Sequence, residues 1–286
     1  MISIAMTTYN GEQYIACQME TILKQTLPVD EIVICDDRST DQTLTILRQI
    51  IADNPSANIR LIENEANIGY VRNFHKAISL TSGDYIFLAD QDDEWHPDKI
   101  ERTMQVMKET NASALCTNCH FIDEHSNIIE KVNNYDRNPF IDHVTEKLTP
   151  ISFYDLVLEN IAQGCTYCFL KEVKERYLRV NSEHLIHDHQ IMFVASLLGK
   201  IYFLNEALLD YRIHSNNAVG FKNVADAQKI HWKIPTFKPV MVRYLEDLSQ
   251  SIKVPHIGMY KLLYYLRFPY FISIFRRRQR KRTMHK

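Results

Sequence analysis

The stretch that decides the fold lies at residues 84–95 and reads DYIFLADQDDEW. Its first six residues are mostly apolar, which predicts a strand buried on both faces, as in a parallel sheet. Three carboxylates, those of Asp90, Asp92 and Asp93, follow this strand within four positions. Carboxylates this close repel one another unless a positive charge neutralises them, and a hard divalent cation with oxygen ligands would do so. The alternative is a solvated acidic turn that caps a helix starting near Pro97.

Strands and helices alternate before this stretch, which predicts βαβ units and a parallel sheet. Strands are expected at residues 2–7, 31–35 and 59–63, each followed by a helix. Because the carboxyl ends of parallel strands meet at one edge of a sheet, where ligands bind, polar strand ends there predict one shared site. The polar strand ends are Thr7, Thr8 and Asn10, then Asp36 and Asp37, and then Asp90, Asp92 and Asp93.

Further elements are predicted downstream. Residues 122–150 are polar with little periodicity, which indicates a loop or lid. Asp188 precedes an apolar helix expected over residues 191–198, so its residue type alone favours a helix N-cap. The other predicted elements are helices at 97–108 and 151–159 and strands at 114–121, 163–170, 201–204 and 207–213.

The chain has no G-x-G-x-x-G or Walker lysine motif, and it contains only 7 glycines. A glycine-rich loop is therefore not expected to cradle phosphates, and a carboxylate-held metal would do that work. The base and sugar of a nucleotide would then meet Thr7, Asn10 and Asp37.

The composition limits the classes of partner. The formal net charge of the 286 residues is -2, and the basic residues concentrate at the very end, so no nucleic-acid partner is expected. The first residues do not resemble a signal peptide, and no apolar run reaches the roughly 18 residues of a spanning helix. We therefore expect a cytoplasmic protein, or one peripheral on the cytoplasmic face of a membrane.

Two C-x-x-C pairs, Cys116/Cys119 and Cys165/Cys168, suggest a zinc site. Both pairs lie in predicted strands, where residues three positions apart face opposite sides, so the two thiols of a pair would diverge. Buried reduced thiols are the better prediction. A second zinc candidate is a set of histidines that are more often solvated loop side chains, namely His184, His187, His189 and His214.

Five motifs together resemble those of family 2 inverting glycosyltransferases, and the resemblance covers about residues 1–220. It implies the GT-A fold, an α/β fold with a mostly parallel central sheet flanked by helices. The motifs, in the order and approximate spacing of the family, are TTYNG at 7–11, DDRSTD at 36–41, NIG at 67–69, DQDD at 90–93 and HD at 187–188.

The second half is similar to the bacterial rhamnosyltransferase-like branch of that family. The similarity lies in VAS at 194–196, GKIY at 199–202 and YRIHSNN at 211–217. The chain departs from this branch at His189 and Gln190, where the branch has two tryptophans.

The resemblance implies roles for individual residues. Asp188 falls at the position of the family's general base, which outweighs the N-cap interpretation. His214 falls where related enzymes often place a residue near the metal or diphosphate. The candidate ligands for Mg²⁺ or Mn²⁺ are Asp90, Asp92, Asp93 and His214. The candidate nucleotide-sugar contacts are Thr7, Tyr9, Asn10, Asp37, Asn67, Arg72, Asp90 and Gln91.

The implied reaction is transfer of a sugar, with inversion, from a nucleoside-diphosphate sugar such as dTDP-rhamnose or a UDP-hexose. The acceptor would be a hydroxyl of a growing polysaccharide or lipid-linked glycan. Two alternatives are a nucleotidyltransferase and a non-catalytic nucleotide-sugar-binding protein. A nucleotidyltransferase would usually carry a glycine-rich, lysine-bearing loop after the first strand, and the intact Asp90, Asp92 and Asp188 argue against a binding protein without activity.

Residues 221–286 are predicted to form a helical C-terminal extension to the catalytic domain at 1–220. An aromatic, apolar run at 260–275 is followed by a basic cluster at 276–282, a composition typical of an anchor on an anionic membrane surface. The alternative is a helix that packs on the catalytic domain and leaves its basic end in solvent.

Overall fold

The computed structural model describes residues 1–130, 132, 146–158, 160–180, 182–218, 221, 223–228, 239–254 and 256–259. Helices flank one central sheet in this part of the chain, which confirms the predicted α/β fold. The described strands are β1 (Ile2–Thr8), β2 (Glu31–Asp36), β3 (Ile59–Glu63), β4 (Tyr85–Ala89), β5 (Glu94–Trp95), β6 (Ala114–Ile122), β7 (Leu148–Ile151), β8 (Tyr167–Leu170) and β9 (Ile201–Arg212). The described helices are α1 (Ile15–Leu23), α2 (Thr43–Asp53), α3 (Tyr70–Leu80), α4 (Lys99–Thr110), α5 (Phe153–Leu158), α6 (Lys171–Tyr177), α7 (His187–Leu198), α8 (Val224–Gln228) and α9 (Pro239–Ser251).

The strand order is β3-β2-β1-β4-β8-β6-β9-β5, and β7 pairs with β9. The strands β3, β2, β1 and β4 are parallel to one another, as predicted from the βαβ pattern. The antiparallel strand β8 joins this half to β6, and β6 is parallel to β9. The carboxyl ends of β1, β2 and β4 therefore lie side by side at one edge of the sheet.

The first strands are continuous apolar runs because they contact two cores. Every residue of β1 and β2 is buried. In β1, Ile4 and Met6 pack in the core that contains Ile15 of α1, whereas Ala5 packs in the core that contains Phe74 of α3. Helices thus cover both faces of the sheet, the arrangement typical of parallel strands.

Three of the predicted strands have different bounds in the structure. Residues 164–166 form a short 3₁₀ turn instead of extended strand, because the N–H and the hydroxyl of Thr166 both donate to the carbonyl of Gln163. The strands predicted at 201–204 and 207–213 are one strand, β9. Asn205 and Glu206 do not interrupt it, because the N–H of Asn205 donates to Lys147 and the Glu206 carboxylate is paired with Arg102.

The polar region at 122–150 also contains regular structure, since its end contributes to β7, which pairs antiparallel with β9. Residues 131 and 133–145 of the predicted loop or lid lie outside the described residues. Helix α7 begins at His187, four residues earlier than predicted, with Ile186 as its N-cap. Asp188 is therefore inside the first helical turn and does not cap it.

The cysteines are free thiols, and the strand argument holds for one pair only. Cys116 and Cys119 belong to different cores, on opposite faces of β6. Cys165 and Cys168 pack in the same core, because Cys165 lies in the 3₁₀ turn and the alternation of a strand does not apply to it.

The predicted extension contributes a described helix to the core. Three residues of α9, Tyr244, Leu245 and Leu248, are buried in the core that contains Phe193 of α7. The hydroxyl of Tyr244 donates to the carbonyl of Gln190 at 3.2 Å. The aromatic and basic segment at 260–286 lies outside the described residues. Within the described part of the chain, no helix is both long enough and apolar enough to span a bilayer.

Candidate active site

A cleft with a volume of about 370 Å³ opens at the carboxyl ends of β1, β2 and β4. Residues from the three polar strand ends line one wall, and the first turn of α7 lines the wall facing them. The predicted site residues that line the cleft are Thr7, Tyr9, Asp37, Asn67, Asp90, Gln91, Asp92 and Asp188. Asn10, Arg72, Asp93 and His214 are not among the lining residues.

Asp37 is held firmly at the end of β2. Its Oδ1 accepts hydrogen bonds from the side-chain amide of Asn64 and the backbone N–H of Ile68, both at 2.8 Å. Its Oδ2 accepts the backbone N–H of Gly69 at 2.8 Å. Gly69 has φ 83°, a conformation that side chains rarely adopt, so glycine at this turn lets the backbone reach the carboxylate. The arrangement fixes the corner of the cleft formed by Asp37 and Asn67.

Tyr9 and Gln91 connect two of the strand ends. The backbone N–H of Tyr9 donates to the Gln91 Oε1 at 2.8 Å, and Gln91 Nε2 donates back to the Tyr9 carbonyl at 3.1 Å. The Tyr9 ring is 48% exposed and stands at the mouth of the cleft. An exposed ring at that position offers a flat surface to a bound planar group.

Two predicted nucleotide contacts have other partners. The Oδ1 of Asn10 accepts the backbone N–H of Thr40 at 2.8 Å, which joins the loop after β1 to the loop after β2. The Arg72 guanidinium is paired with Glu183 at 2.7 Å, and both side chains are largely exposed. Asn10 therefore joins the two loops, and Arg72 lies on the surface.

The acidic loop at 90–93, which follows β4, separates its carboxylates. Asp90 and Asp92 face the cleft, whereas Asp93 is buried and its Oδ1 accepts the backbone N–H of Arg212 at 3.2 Å. Burial raises the pKa of the Asp93 carboxyl to about 7, and the charge of Asp92 adds to that rise. The dense protein around Asp90 raises the pKa of its carboxyl well above the ordinary value, and the charges of Asp93 and Asp92 contribute.

These carboxylates fit a hard divalent cation. Their oxygens are the ligands that Mg²⁺ and Mn²⁺ prefer. Burial first, and the neighbouring negative charges second, raise the pKa values of Asp90 and Asp93, and a cation would relieve both effects. Asp90, Asp93 and the thiol of Cys165 offer ligand atoms that all lie within 4.8 Å of one another.

His214 contacts the acidic loop through Asp92. Its Nε2 lies 2.8 Å from the Asp92 Oδ2, and the backbone N–H of Asn216 points at its Nδ1 from 3.3 Å. A ring nitrogen that accepts an N–H carries no proton, so the proton of a neutral His214 belongs on Nε2, which donates to Asp92. His214 is therefore placed to orient Asp92.

Two buried cations that the sequence reasoning did not assign support the acidic loop. Arg212 is 2% exposed, and its guanidinium donates to the carbonyl of Asp92 at 2.8 Å and pairs with Glu94. Lys99 is fully buried, its Nζ donates to the Cys165 carbonyl at 3.2 Å, and burial lowers its pKa to about 8. Both follow from tertiary packing, and the only sequence signal was the position of Arg212 within the YRIHSNN motif.

Asp188 lines the cleft from the first turn of α7, apart from the acidic loop in the chain. Its Oδ1 accepts the backbone N–H of His189 at 2.6 Å, and its Oδ2 accepts the side-chain amide of Asn160 at 3.0 Å. Burial raises the pKa of the carboxyl to about 7. Gly164 lies so close that a Cβ on it would be 3.2 Å from the Asp188 Cβ. The site therefore presents a carboxylate that exchanges a proton near neutral pH, opposite a separate acidic loop.

His187 forms part of the same wall, and the sequence reasoning missed it as a cleft residue. Its ring stacks on Phe74, with centroids 4.0 Å apart and an angle of 18° between the planes. Burial lowers the pKa of His187 to about 3, so the ring is neutral at physiological pH. It presents an uncharged aromatic surface beside Asp188.

The four histidines proposed as a zinc candidate do not meet. His187 stacks on Phe74, and the Nε2 of His189 lies 2.7 Å from the carbonyl of Leu156, inside the core. His184 lies near Asp247 on the surface, and His214 contacts Asp92. The departure from the rhamnosyltransferase-like pattern at His189 and Gln190 consequently falls behind the cleft wall, since neither residue lines the cleft.

The sequence pattern of the family described as Glycosyl transferase family 2 matches residues 3–170, more than half of the chain. The chain is a family 2 glycosyltransferase. The match includes the strand ends and the acidic loop of the cleft, whereas Asp188 and His214 lie beyond it. The site of this glycosyltransferase is thus formed by the segment that matches the family, residues 3–170, and by elements that follow it in the chain.

Two named relatives match about three quarters of the length of this glycosyltransferase. The "Putative teichuronic acid biosynthesis glycosyltransferase TuaG" of Bacillus subtilis (strain 168) is 28% identical over 220 residues, which are 76% of this chain and 81% of TuaG. The dTDP-rhamnosyl transferase RfbG of Shigella flexneri is 28% identical over 229 residues, which are 75% of this chain and 73% of RfbG.

A solved structure confirms the GT-A type of fold. S. aureus TarS 1-349, crystallised in complex with UDP-GlcNAc, matches with a TM-score of 0.65 over 92% of this chain and 70% of the TarS chain. The sequence identity is 18%, so this likeness concerns the fold alone.

Proposed function

We propose that this glycosyltransferase moves a sugar from a nucleoside-diphosphate sugar to an acceptor hydroxyl, with inversion and with the help of Mg²⁺ or Mn²⁺. The observation that carries the proposal is the geometry of one cleft. Asp90 and Asp92 lie on one wall, and the isolated Asp188 lies on the other with its pKa raised to about 7. Two carboxylate environments in one cleft suit two different tasks.

The nucleotide end of the donor would occupy the corner formed by Thr7, Asp37 and Asn67. Asp37 accepts three protein hydrogen bonds, so it is held in place before a ligand arrives. The exposed Tyr9 ring would lie against the base, and the hydrogen bonds between the Tyr9 backbone and the Gln91 side chain hold this residue beside the acidic loop. Arg72 would reach a ligand only after leaving its surface pair with Glu183.

Asp90 and Asp92 would hold the metal next to the diphosphate, with Asp93 behind them. The cation supplies a Lewis acid that stabilises the charge developing on the leaving diphosphate. His214 and Arg212 keep Asp92 oriented through its carboxylate and its carbonyl. His214, a candidate metal ligand from the sequence, would then position Asp92, and the direct ligands would come from the acidic loop.

Asp188 would act as the general base. The acceptor oxygen forms a bond to the anomeric carbon while the bond from that carbon to the diphosphate oxygen breaks. The hydroxyl proton moves to the Asp188 carboxylate, and the nucleoside diphosphate leaves with the bonding electrons. Attack from the face opposite the leaving group inverts the configuration at that carbon.

We further propose dTDP-rhamnose or a UDP-hexose as the donor and a growing polysaccharide or lipid-linked glycan as the acceptor. RfbG is named a dTDP-rhamnosyl transferase and TuaG a teichuronic acid biosynthesis enzyme, which supports these classes. A lipid-linked acceptor would agree with attachment of residues 260–286 to the cytoplasmic face of a membrane.

The test is a panel of donors, dTDP-rhamnose, UDP-glucose and UDP-GlcNAc, incubated with the purified chain and Mn²⁺. We expect one donor to stabilise the protein against heat and to be hydrolysed slowly, with release of the nucleoside diphosphate. Donor hydrolysis that continues unchanged in excess EDTA would contradict the proposed requirement for Mg²⁺ or Mn²⁺. Stabilisation by a donor without any release or transfer would favour a binding protein without activity.

A further inference from the structure

Three side chains that could ligate a transition metal lie together away from the cleft. Asp210 lies in β9, between β6 on one side and β5 on the other. His120 of β6 is paired with Asp210 across the sheet. The backbone N–H of His96 donates to the carbonyl of Leu208 at 3.0 Å, which continues the pairing of β5 with β9 by one residue.

This register places the three side chains on one face of the sheet. Paired residues in neighbouring strands share a face, and side chains two positions apart in a strand also share a face. His120 is therefore beside Asp210, and His96 is diagonal to it. Tyr211, the next residue in β9, lines the cleft, whereas none of the three does.

The distances are close to those of a metal site. The Asp210 Oδ1 lies 2.9 Å from His96 Nε2 and 3.2 Å from His120 Nδ1. The potential ligand atoms of the three side chains all lie within 4.8 Å of one another. Ligand atoms around a tetrahedral zinc are about 3.3 Å apart, given bonds of about 2.0–2.1 Å, so modest side-chain rotation would complete the geometry.

Asp210 holds the ring of His96 with its Nε2 toward the other two side chains, at 2.9 Å from the Asp210 Oδ1. This hydrogen bond raises the pKa of His96 above its ordinary value. A metal ion would bind in place of the proton on Nε2, because a histidine ligand must be deprotonated at the binding nitrogen.

We propose that His96, His120 and Asp210 form a binding site for Zn²⁺ or a similar transition-metal ion. Two imidazoles and one carboxylate suit such a cation, whereas Mg²⁺ prefers an all-oxygen shell. The His120 side chain is 54% exposed, so water can supply the fourth ligand. β5 begins directly after the acidic loop, so the cation would fasten that loop's exit to β9 and β6. The proposal does not depend on the proposed function.

The experiment uses the full chain carrying Asp92→Asn, so that the cleft contributes less to metal binding. Zn²⁺ is titrated against a chromophoric zinc chelator, and Co²⁺ is added separately to record its ligand-field absorption. We expect about one Zn²⁺ per chain, an absorption band typical of four-coordinate cobalt, and a higher melting temperature with Zn²⁺. Mg²⁺ should not compete.

His120→Ala and Asp210→Asn should each weaken Zn²⁺ binding at least about tenfold and abolish the thermal shift. His120 is mostly exposed, so its variant is expected to keep the fold. His125→Ala is the matched control, because the His125 side chain is 74% exposed and is not one of the three proposed ligands. Unchanged Zn²⁺ affinity in both His120→Ala and Asp210→Asn would overturn the proposal, as would binding that disappears with Asp92→Asn alone.

Discussion

At the scale of single residues, the cleft holds carboxylates in two different environments. Asp90, Asp92 and Asp93 are crowded, and burial together with the repulsion between them raises the pKa values of Asp90 and Asp93. Burial raises the pKa of the Asp188 carboxyl, and hydrogen bonds from the backbone of His189, the Asn160 side chain and its own backbone partly offset the rise. Crowded carboxylates favour the binding of a cation, whereas a buried carboxylate away from them favours the uptake of a proton. Metal binding and proton transfer would therefore occur at different places in the cleft.

The first prediction concerns pH. Asp188 must be ionised to accept a proton, so kcat/KM should rise as pH increases through about 7 and then level off. The free energy of unfolding should change in the opposite direction, decreasing as pH rises. A raised carboxyl pKa favours the folded state most when the group is protonated, and that contribution is lost as pH rises from about 4 through about 7. A pH–rate profile at saturating Mn²⁺ checks this, and a profile that is flat around pH 7 would count against Asp188 as the base.

The second prediction concerns the metal. Asp92→Asn should abolish transfer and weaken donor binding, because the cation would join this carboxylate to the diphosphate. Activity and calorimetric donor titration, each with and without Mn²⁺, measure the effect. Asp98→Asn is the control, since Asp98 is exposed beside the same loop and its side chain makes no capping bond. Equal Mn²⁺ dependence of donor affinity in the two variants would contradict the assignment.

At the scale of elements, the base is positioned by the close approach of the 3₁₀ turn to α7. A Cβ at Gly164 would lie 3.2 Å from the Asp188 Cβ and 3.4 Å from the Nε2 of His187. These contacts are tight, so the first turn of α7 would have to shift to admit a side chain. A displacement of this kind at a catalytic carboxylate reduces rate without touching the donor corner.

The third prediction follows from that contact. Gly164→Ala should lower kcat by roughly tenfold to a hundredfold, with donor affinity little changed, because only the base is displaced. Gly258→Ala is the matched control, since a Cβ there meets nothing within 4 Å. Steady-state kinetics and donor titration provide the comparison. If both alanine variants behaved alike, the close approach of Gly164 would have no role in positioning Asp188.

The elements also show which features the sequence could predict. β1, β2 and β4 follow from apolar runs with polar ends, because parallel strands are buried on both faces. The continuity of β9 could not be predicted, because the polar residues Asn205 and Glu206 indicate a break in the strand. Their partners, Lys147 and Arg102, are far away in the sequence and are known only from the structure. The roles of Arg212, Lys99 and His187 in the site could not be predicted for the same reason, because each depends on partners that are distant in the sequence. Asp188 was located through the family resemblance, since residue type alone favoured an N-cap.

At the scale of the whole molecule, the described part of the region after residue 220 is tied to the catalytic core. Tyr244 of α9 is fully buried and hydrogen-bonds α7, the helix that begins beside the base. A boundary near residue 220 therefore stays a prediction from the sequence. The membrane attachment proposed for the end of the chain concerns residues after those that pack here.

The fourth prediction concerns that end. Deleting residues 272–286 should release the protein from anionic vesicles while the catalytic domain stays folded. The deletion removes the six basic side chains at 276–282, each worth about 1 kcal/mol at an anionic surface, and salt should screen this attraction. Co-sedimentation with anionic and neutral vesicles, at low and high salt, measures it. Equal binding to both kinds of vesicle, or none by the full chain, would leave the segment as a packing or assembly element.

The central claim is that one cleft holds a metal-and-donor wall and a separate proton acceptor, and the kinetics of Asp188→Asn test it most directly. The rate of transfer and the donor affinity of the same variant, measured by single-turnover assay and calorimetry, separate the two walls. We predict a rate loss of about 10²–10⁴-fold, as for a lost general base, with donor affinity nearly unchanged. A large loss of donor affinity with little loss of rate would contradict the account and make Asp188 a structural residue.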